Sequence, residues 1–327
     1  MVEPAPAGFR PSDRHVALVG PTASGKSALA LAVARRRPDV EIVSVDSMQV
    51  YRGMDVGTAK PTVAERAEVA HHLLDLVDPH DDYTVARFQR DCLAVMADIE
   101  ARGGRALLVG GTGLYLRAVV DDLEIPGRFP DARREVEAEP DTDALFMRLH
   151  LLDPAAAARI EPTNRRRLVR ALEVTIGSGR PFSTYGPGLD AYPPAPFRVV
   201  ALDLGRPVLD ARIAARYAVQ LELGFVAEVE GLLARPEGLS RTARQALGYA
   251  EILDHLEHAT PLDEAMATAV RRTRRFARRQ QRWFGRDPRI EWVEVGDGGE
   301  GGSRHAPDTV PDGARKAFGR LEAILGD

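Results

Sequence analysis

The chain has 327 residues, a formal net charge of −4 and a single cysteine, Cys92. That length suggests two domains and a sizeable core, and one cysteine excludes a disulfide scaffold or a cysteine-based zinc cluster and fits a reducing, cytoplasmic compartment. No apolar run approaches the roughly 20 residues of a membrane helix and the N-terminus lacks the apolar stretch of a signal peptide, so no membrane partner is expected.

Residues 1–13 read as a disordered N-terminus. Residues 15–20 (HVALVG) form an apolar run closed by Gly-Pro, the pattern of a buried strand. Residues 24–37 read as a helix ending at Pro38, and 41–46 (EIVSVD) as a second strand. Residues 84–102 are helical, with Phe88, Cys92, Val95 and Ile99 at three- and four-residue spacing. Residues 105–110 (RALLVG) are a third strand, and a helix starts near Gly113. Between residues 127 and 180 strand signals vanish and Ala, Arg, Glu and Leu dominate, which marks a helical insertion. Residues 197–204 are a fourth strand, the chain is then helical from Pro207 to about Arg286, and 289–295 (RIEWVEV) is a last short strand. Strands that alternate with helices and are apolar throughout mean an α/β fold whose parallel sheet is covered on both faces. The expected layout is a core at 14–126 and 186–295, an all-helical insertion at 127–185, a Gly-rich linker at 296–313 and a terminal helix at 314–327.

Gly20-Pro21-Thr22-Ala23-Ser24-Gly25-Lys26-Ser27 matches the P-loop pattern in full and sits between a strand and a helix. Its backbone N–H groups can cradle a diphosphate or triphosphate at a helix N-terminus. Lys26 would reach the distal phosphates, and the Ser27 hydroxyl is the candidate ligand for Mg²⁺. Asp46 closes the second strand, at the sheet edge where α/β ligand sites lie; it reads as a Mg²⁺-holding acid, a general base or a structural cap. Gly110-Gly111-Thr112-Gly113 is a second strand-to-helix turn, in which the glycines would let a ligand approach and Thr112 would be a cap or a hydroxyl facing that ligand.

Residues 271–289 hold nine arginines against one acid, Asp287. Arg271, Arg274, Arg275, Arg278 and Arg282 share one face of a helix; Met266, Val270, Thr273, Ala277, Gln280 and Phe284 share another. Arg165, Arg166, Arg167 and Arg170 form a second cluster inside the insertion. The charge of −4 therefore conceals basic segments suited to a nucleic-acid backbone. Only Lys26, Lys60 and Lys316 are lysines among 44 basic residues, an imbalance that GC-rich codon usage produces; under such a bias Lys26 is the lysine to watch as a place where arginine does not serve.

In chain order, GPTASGKS, DSMQVYRGMDVGTAKP, HHLLDLVDP, YTVARF, GGTGLY, RRLVRALEV, RQALGYAE and RRFARRQQRWFGRDPR span residues 20–289. With these motifs the chain resembles the tRNA dimethylallyltransferases, the bacterial isopentenyl-tRNA transferase family. The resemblance implies a P-loop NTPase-like core with a helical insertion that grips the anticodon stem-loop. It implies transfer of a dimethylallyl group from dimethylallyl diphosphate to N6 of adenosine 37, in tRNAs reading codons that start with U, with Mg²⁺. It also implies that Asp46 is the general base, that Thr112 lies near the substrate adenosine and that Arg216 holds the diphosphate with the P-loop. Family contacts with tRNA map onto Asp46, Ser47, Met48, Gln49, Thr112, Arg133 (or Arg134), Arg166, Arg167, Leu168, Val169, Arg170, Arg244, Gln245, Tyr249, Arg278, Arg279, Gln280 and Trp283. Arg166 and Gly285 depart from the family pattern, where Gln and Arg are common. A monomer is expected. The rival readings are a small-molecule P-loop kinase, an inactive RNA-binding protein and an adenylate isopentenyltransferase. The adjacent His71 and His72 read as packing residues.

Overall fold

The computed structural model describes residues 8–296, 310 and 313–326. The first seven residues of the expected lead-in lie outside these, as does the Gly-rich linker apart from Gly296, Val310 and Gly313. Residues 8–13 correct the expectation of disorder. Phe9 packs against the core, and Ser12 N–H donates to Glu100 Oε1 at 2.8 Å.

Six strands form one sheet: β1 (Val16–Val19), β2 (Val40–Val45), β3 (His71–His72), β4 (Arg105–Gly110), β5 (Arg198–Asp203) and β6 (Ile290–Glu294). Their order is β3-β2-β4-β1-β5-β6 and every pairing is parallel. The four central strands are buried along almost their whole length, because helices cover both faces. β3 was missed in the sequence, since two histidines carry no strand periodicity. It exists because it pairs with Ile42 and Val43 of β2.

The register places the loops. Val19 pairs with Gly110, and Gly110 with Val45. The next residues, Gly20, Gly111 and Asp46, therefore leave the sheet at one level, from three adjacent strands. Val19 also pairs with Ala201 of β5, whose C-terminal end feeds the helix Arg206–Glu222.

The loop after β2 is pinned by side chains from distant helices. Glu228, on the helix Phe225–Leu233, accepts from the backbone N–H groups of Asp55, Val56 and Gly57 at 2.9, 2.6 and 3.2 Å, and from the Tyr249 hydroxyl at 2.5 Å. Gln220 Nε2 donates to the carbonyls of Val56 and Gly57. Lys60, its side chain fully enclosed, donates to Tyr51 O at 2.8 Å, Asp55 Oδ1 at 2.5 Å and Asp75 Oδ1 at 2.6 Å. Three acceptors converging on one point suit a compact ammonium rather than a planar guanidinium.

A separate unit spans Asp121–Pro193, wider than the insertion expected at 127–185. The flanks belong to it because they are tied to arginines within it: Pro126 O accepts from Arg170, Glu124 pairs with Arg180, and Pro187 O accepts from Arg159. Its helices Pro130–Glu137, Thr142–Leu152 and Arg165–Ser178 enclose a core of Val136, Leu145, Leu149, Leu168, Val169 and Leu172.

A methyl group on Gly57 would lie 2.2 Å from the Phe225 ring and 2.4 Å from that of Tyr249. Gly57→Ala is expected to destabilise the protein by about 1–3 kcal/mol through overpacking, measured by urea unfolding.

Candidate functional site

The P-loop follows β1 and turns on two residues with positive φ, Ala23 at 65° and Gly25 at 92°. Gly25 is the N-cap of the helix Lys26–Arg36, and no side chain caps that helix. Its first N–H groups are thus free of the usual side-chain acceptor, the condition under which a helix N-terminus takes an anion.

Two cations close the cradle. Lys26 Nζ donates to Pro21 O at 3.1 Å, and Arg216 Nη1 donates to Thr22 Oγ1 at 2.6 Å. Burial drives the Lys26 ammonium down to about 8; the Asp46 carboxylate opposes the shift and the Arg216 guanidinium adds to it. Burial also pushes Arg216 below its ordinary value, against the attraction of Tyr217 and Asp46. Among the described residues, Arg216 Nε and Ser24 Oγ are buried without hydrogen-bond partners. Arg212, one helical turn before Arg216, brings Nη1 within 3.7 Å of where a Cβ on Gly25 would stand. Half-buried positive charge, an uncapped helix and two polar atoms without partners make an arrangement that an anion of diphosphate type would complete. Arg216 became a candidate through resemblance alone, and Arg212 gave no sequence signal beyond its i, i+4 spacing from it.

Opposite the cradle, Asp46 Oδ1 accepts from Met48 N–H at 2.8 Å and Gln49 N–H at 3.4 Å. Oδ2 makes no hydrogen bond among the described residues. Thr112 Oγ1 accepts from Ser47 N–H at 3.3 Å, so Thr112 and Asp46 share one loop cluster. Ser27 is exposed beside the cradle. Among the described residues no group of three or more His, Cys, Asp or Glu is placed to hold a metal ion. A cation here would rely on Ser27 and on oxygens of the bound diphosphate, a donor set that suits Mg²⁺ with most of its waters retained.

The glycines of the 110–113 turn have a different role from the one expected. A Cβ on Gly110 would meet Val45 O at 2.0 Å, one on Gly111 would meet Gln280 Nε2 at 2.2 Å, and one on Gly113 would meet Trp283 Nε1 at 2.1 Å. The space they leave is filled by protein: a neighbouring strand and two side chains of the helix Leu262–Phe284.

Several residues expected to contact tRNA have partners inside the fold. Gln280 is buried, and both ends of its amide are used inside the fold. Leu168 and Val169 lie in the core of the unit 121–193, and Tyr249 is buried with its hydroxyl on Glu228. Gln49 accepts from Ser44 Oγ and donates to Thr58 O. Hydrophobic periodicity could have marked Leu168 and Val169 as core; Gln49, Tyr249 and Gln280 look like surface polar residues until their partners are seen.

The arginines sort likewise. In the unit 121–193, Arg165 donates to the carbonyls of Glu137, Glu139 and Pro140, and Arg170 to Glu173 and Pro126 O. Arg133 pairs with Glu137 and Glu173, and Arg134 with Asp131. Arg166 and Arg167 stay exposed. In the core unit, Arg272 pairs with Glu251, Arg274 donates to Asp210 O, and half-buried Arg244 pairs with Glu257, leaving Gln245 exposed. Arg279 lies over the Phe276 ring. Arg278 and Arg282, with Gln281 and Arg206, line an open cavity of about 470 Å³. Three guanidiniums on one cavity suit phosphate oxygens. Arg206 was not expected there, because its helix is remote in sequence.

The family described as IPP transferase matches residues 49–287. The chain is 50% identical over 300 residues to a tRNA dimethylallyltransferase of Kineococcus radiotolerans, covering 89% of this chain and 94% of that protein. It is 47% identical over 291 residues to a tRNA dimethylallyltransferase of Bifidobacterium longum subsp. infantis, covering 87% of each. Its structure is similar to the crystal structure of the tRNA isopentenylpyrophosphate transferase of Bacillus halodurans, with a TM-score of 0.66, 34% identity and coverage of 96% of this chain and 97% of that one.

Anion binding selects the charged form of Lys26, whose value in the free protein is about 8. The ratio of the diphosphate affinities of wild type and Lys26→Ala, followed by calorimetry so that the ligand's own titration cancels, is therefore expected to be level below that pH and to fall by up to about tenfold per pH unit above it. For RNA binding, Arg278→Ala and Arg282→Ala are each expected to lower the slope of log K against log salt by about 1. Arg274→Ala, whose guanidinium is already spent on Asp210 O, should leave the slope unchanged; filter binding over a salt series checks all three.

Proposed function

Since the chain belongs to the IPP transferase family, we propose that it transfers the dimethylallyl group of dimethylallyl diphosphate to N6 of adenosine 37 in tRNAs reading codons that start with U. The products are N6-isopentenyladenosine and diphosphate. The enzyme is a prenyltransferase. The observation that carries the proposed residue roles is the half-buried pair of cations beside an uncapped helix, with Asp46 leaving the sheet at the same level.

The chemistry divides between the two sides. The allylic C–O bond breaks and its electron pair goes to the diphosphate. Lys26, Arg216 and the N–H groups of the P-loop take up the charge that develops there; such preorganised donors cost no reorganisation at the moment of reaction. The Ser27 hydroxyl would help hold Mg²⁺, which would supply positive charge to offset the negative charge developing on the leaving group. The N6 lone pair forms the new C–N bond, and the N6 proton passes to Asp46 Oδ2. Oδ1 meanwhile keeps its backbone N–H partners, so the carboxylate holds its aim. The adenine must leave its stack to enter, which costs less in a loop than in a duplex.

The acceptor is tRNA rather than a free nucleotide on this reading. The arginine-lined cavity of Arg206, Arg278 and Arg282 supports it, as do exposed Arg166 and Arg167. No helix among the described residues is long and apolar enough to cross a membrane. The proposed working form is a cytoplasmic monomer.

Asp46→Asn keeps an acceptor for Met48 N–H and removes the base. Its transfer rate is expected to fall about 10²- to 10⁴-fold with tRNA affinity retained. Mass spectrometry of the anticodon-loop nucleoside, after incubation with tRNA and dimethylallyl diphosphate, measures it. Undiminished activity would remove Asp46 from the role of base, and a wild-type protein yielding no prenylated adenosine would overturn the function.

A further inference from the structure

The amide of Gln280 joins two loops that end different strands. Oε1 accepts from Thr22 N–H at 2.8 Å, in the P-loop after β1. Nε2 donates to Gly111 O at 2.9 Å, in the turn after β4. The orientation has one solution: turning the amide over would set its NH₂ against an N–H and its oxygen against a carbonyl. Gln280 is 7% exposed, and the missing side chain of Gly111 makes the room it occupies.

Each partner leads onward to a different half of the reaction. Thr22 Oγ1 accepts from Arg216 Nη1 at 2.6 Å, on the diphosphate side. Gly111 precedes Thr112, whose Oγ1 accepts from the N–H of Ser47, the residue after Asp46. One planar amide thus stands between the group that holds the leaving diphosphate and the group that takes the proton.

We propose that Gln280 is a positioning residue: its amide sets the separation between the diphosphate cradle and the Asp46–Thr112 side, so that allylic carbon and acceptor nitrogen meet at reacting distance. This rests on the prenyl-transfer reading above and replaces the expected tRNA contact of Gln280. A displacement between two bound partners is sensitive to such spacing, and a misplacement of about 1 Å costs on the order of 10²-fold in rate.

Gln280→Met keeps the length and removes both hydrogen bonds; Gln280→Glu keeps the acceptor toward Thr22 N–H and loses the donor toward Gly111 O. Single-turnover rates at saturating tRNA and dimethylallyl diphosphate are expected to fall roughly 10- to 100-fold in both variants, with tRNA Kd within about twofold of wild type. An unchanged rate at saturation overturns the proposal. A raised tRNA Kd with the saturated rate intact also overturns it, in favour of a direct RNA contact. If Gln280→Met fails to fold, as shown by circular dichroism, the Gln280→Glu measurements decide by the same criteria. An inactive wild type overturns the prenyl-transfer reading and this proposal with it, whereas an active wild type with unaffected variants overturns only the role of Gln280.

Discussion

Val45, Gly110 and Val19 stand side by side across β2, β4 and β1, and the site is built on that alignment. Parallel strands held in register by backbone hydrogen bonds, with side chains interlocked against helices on both faces, cannot slip by one residue without repacking both sides. Three loops with unrelated chemistry therefore emerge at one level: a phosphate cradle, a Gly-Thr-Gly turn and a carboxylate. Gly110 lets β2 lie close to β4 at that level, since any side chain there would strike the Val45 carbonyl. The helix after β5 then adds Arg216 to the cradle from the other flank.

The helix Leu262–Phe284 closes the arrangement and shows why one element can serve two purposes. Its inward face carries Gln280 and Trp283 into the spaces left by Gly111 and Gly113. Arg278 and Arg282 turn toward the open cavity that Arg206 shares. Much of the basic charge counted along the chain is already spent inside the protein, on Glu251, Asp210, Glu173 and backbone carbonyls. What remains for a phosphate backbone is smaller and better localised than the count of arginines implied, because a guanidinium held in a fixed pair has few donors left for a ligand.

The strands of the core were legible because doubly covered strands are apolar without interruption, and the P-loop because its glycines and its lysine serve local geometry. The basic helix was legible as amphipathic, since its buried face repeats at helical spacing. β3 was not, because its two histidines become a strand only beside β2. The roles of Gln49, Gln280, Glu228 and Lys60 were also hidden. Each is a polar residue whose partners lie elsewhere in the chain, up to 258 residues away for the bond between Gln280 and Thr22, and no local pattern encodes such a partner.

By itself the sequence determined the α/β class, the P-loop pattern between a strand and a helix, the presence of a helical insertion and the surplus of arginine over lysine. Lys60 sits among three converging acceptors, which suit a compact ammonium. Tertiary structure alone decided which arginines face outward and which expected RNA contacts are core. It also decided that the glycines after β4 accommodate protein side chains rather than ligand. The physical reason is the same in each case: composition and periodicity report which way a residue faces along its own element, whereas hydrogen-bond satisfaction and close packing depend on what the fold brings against it.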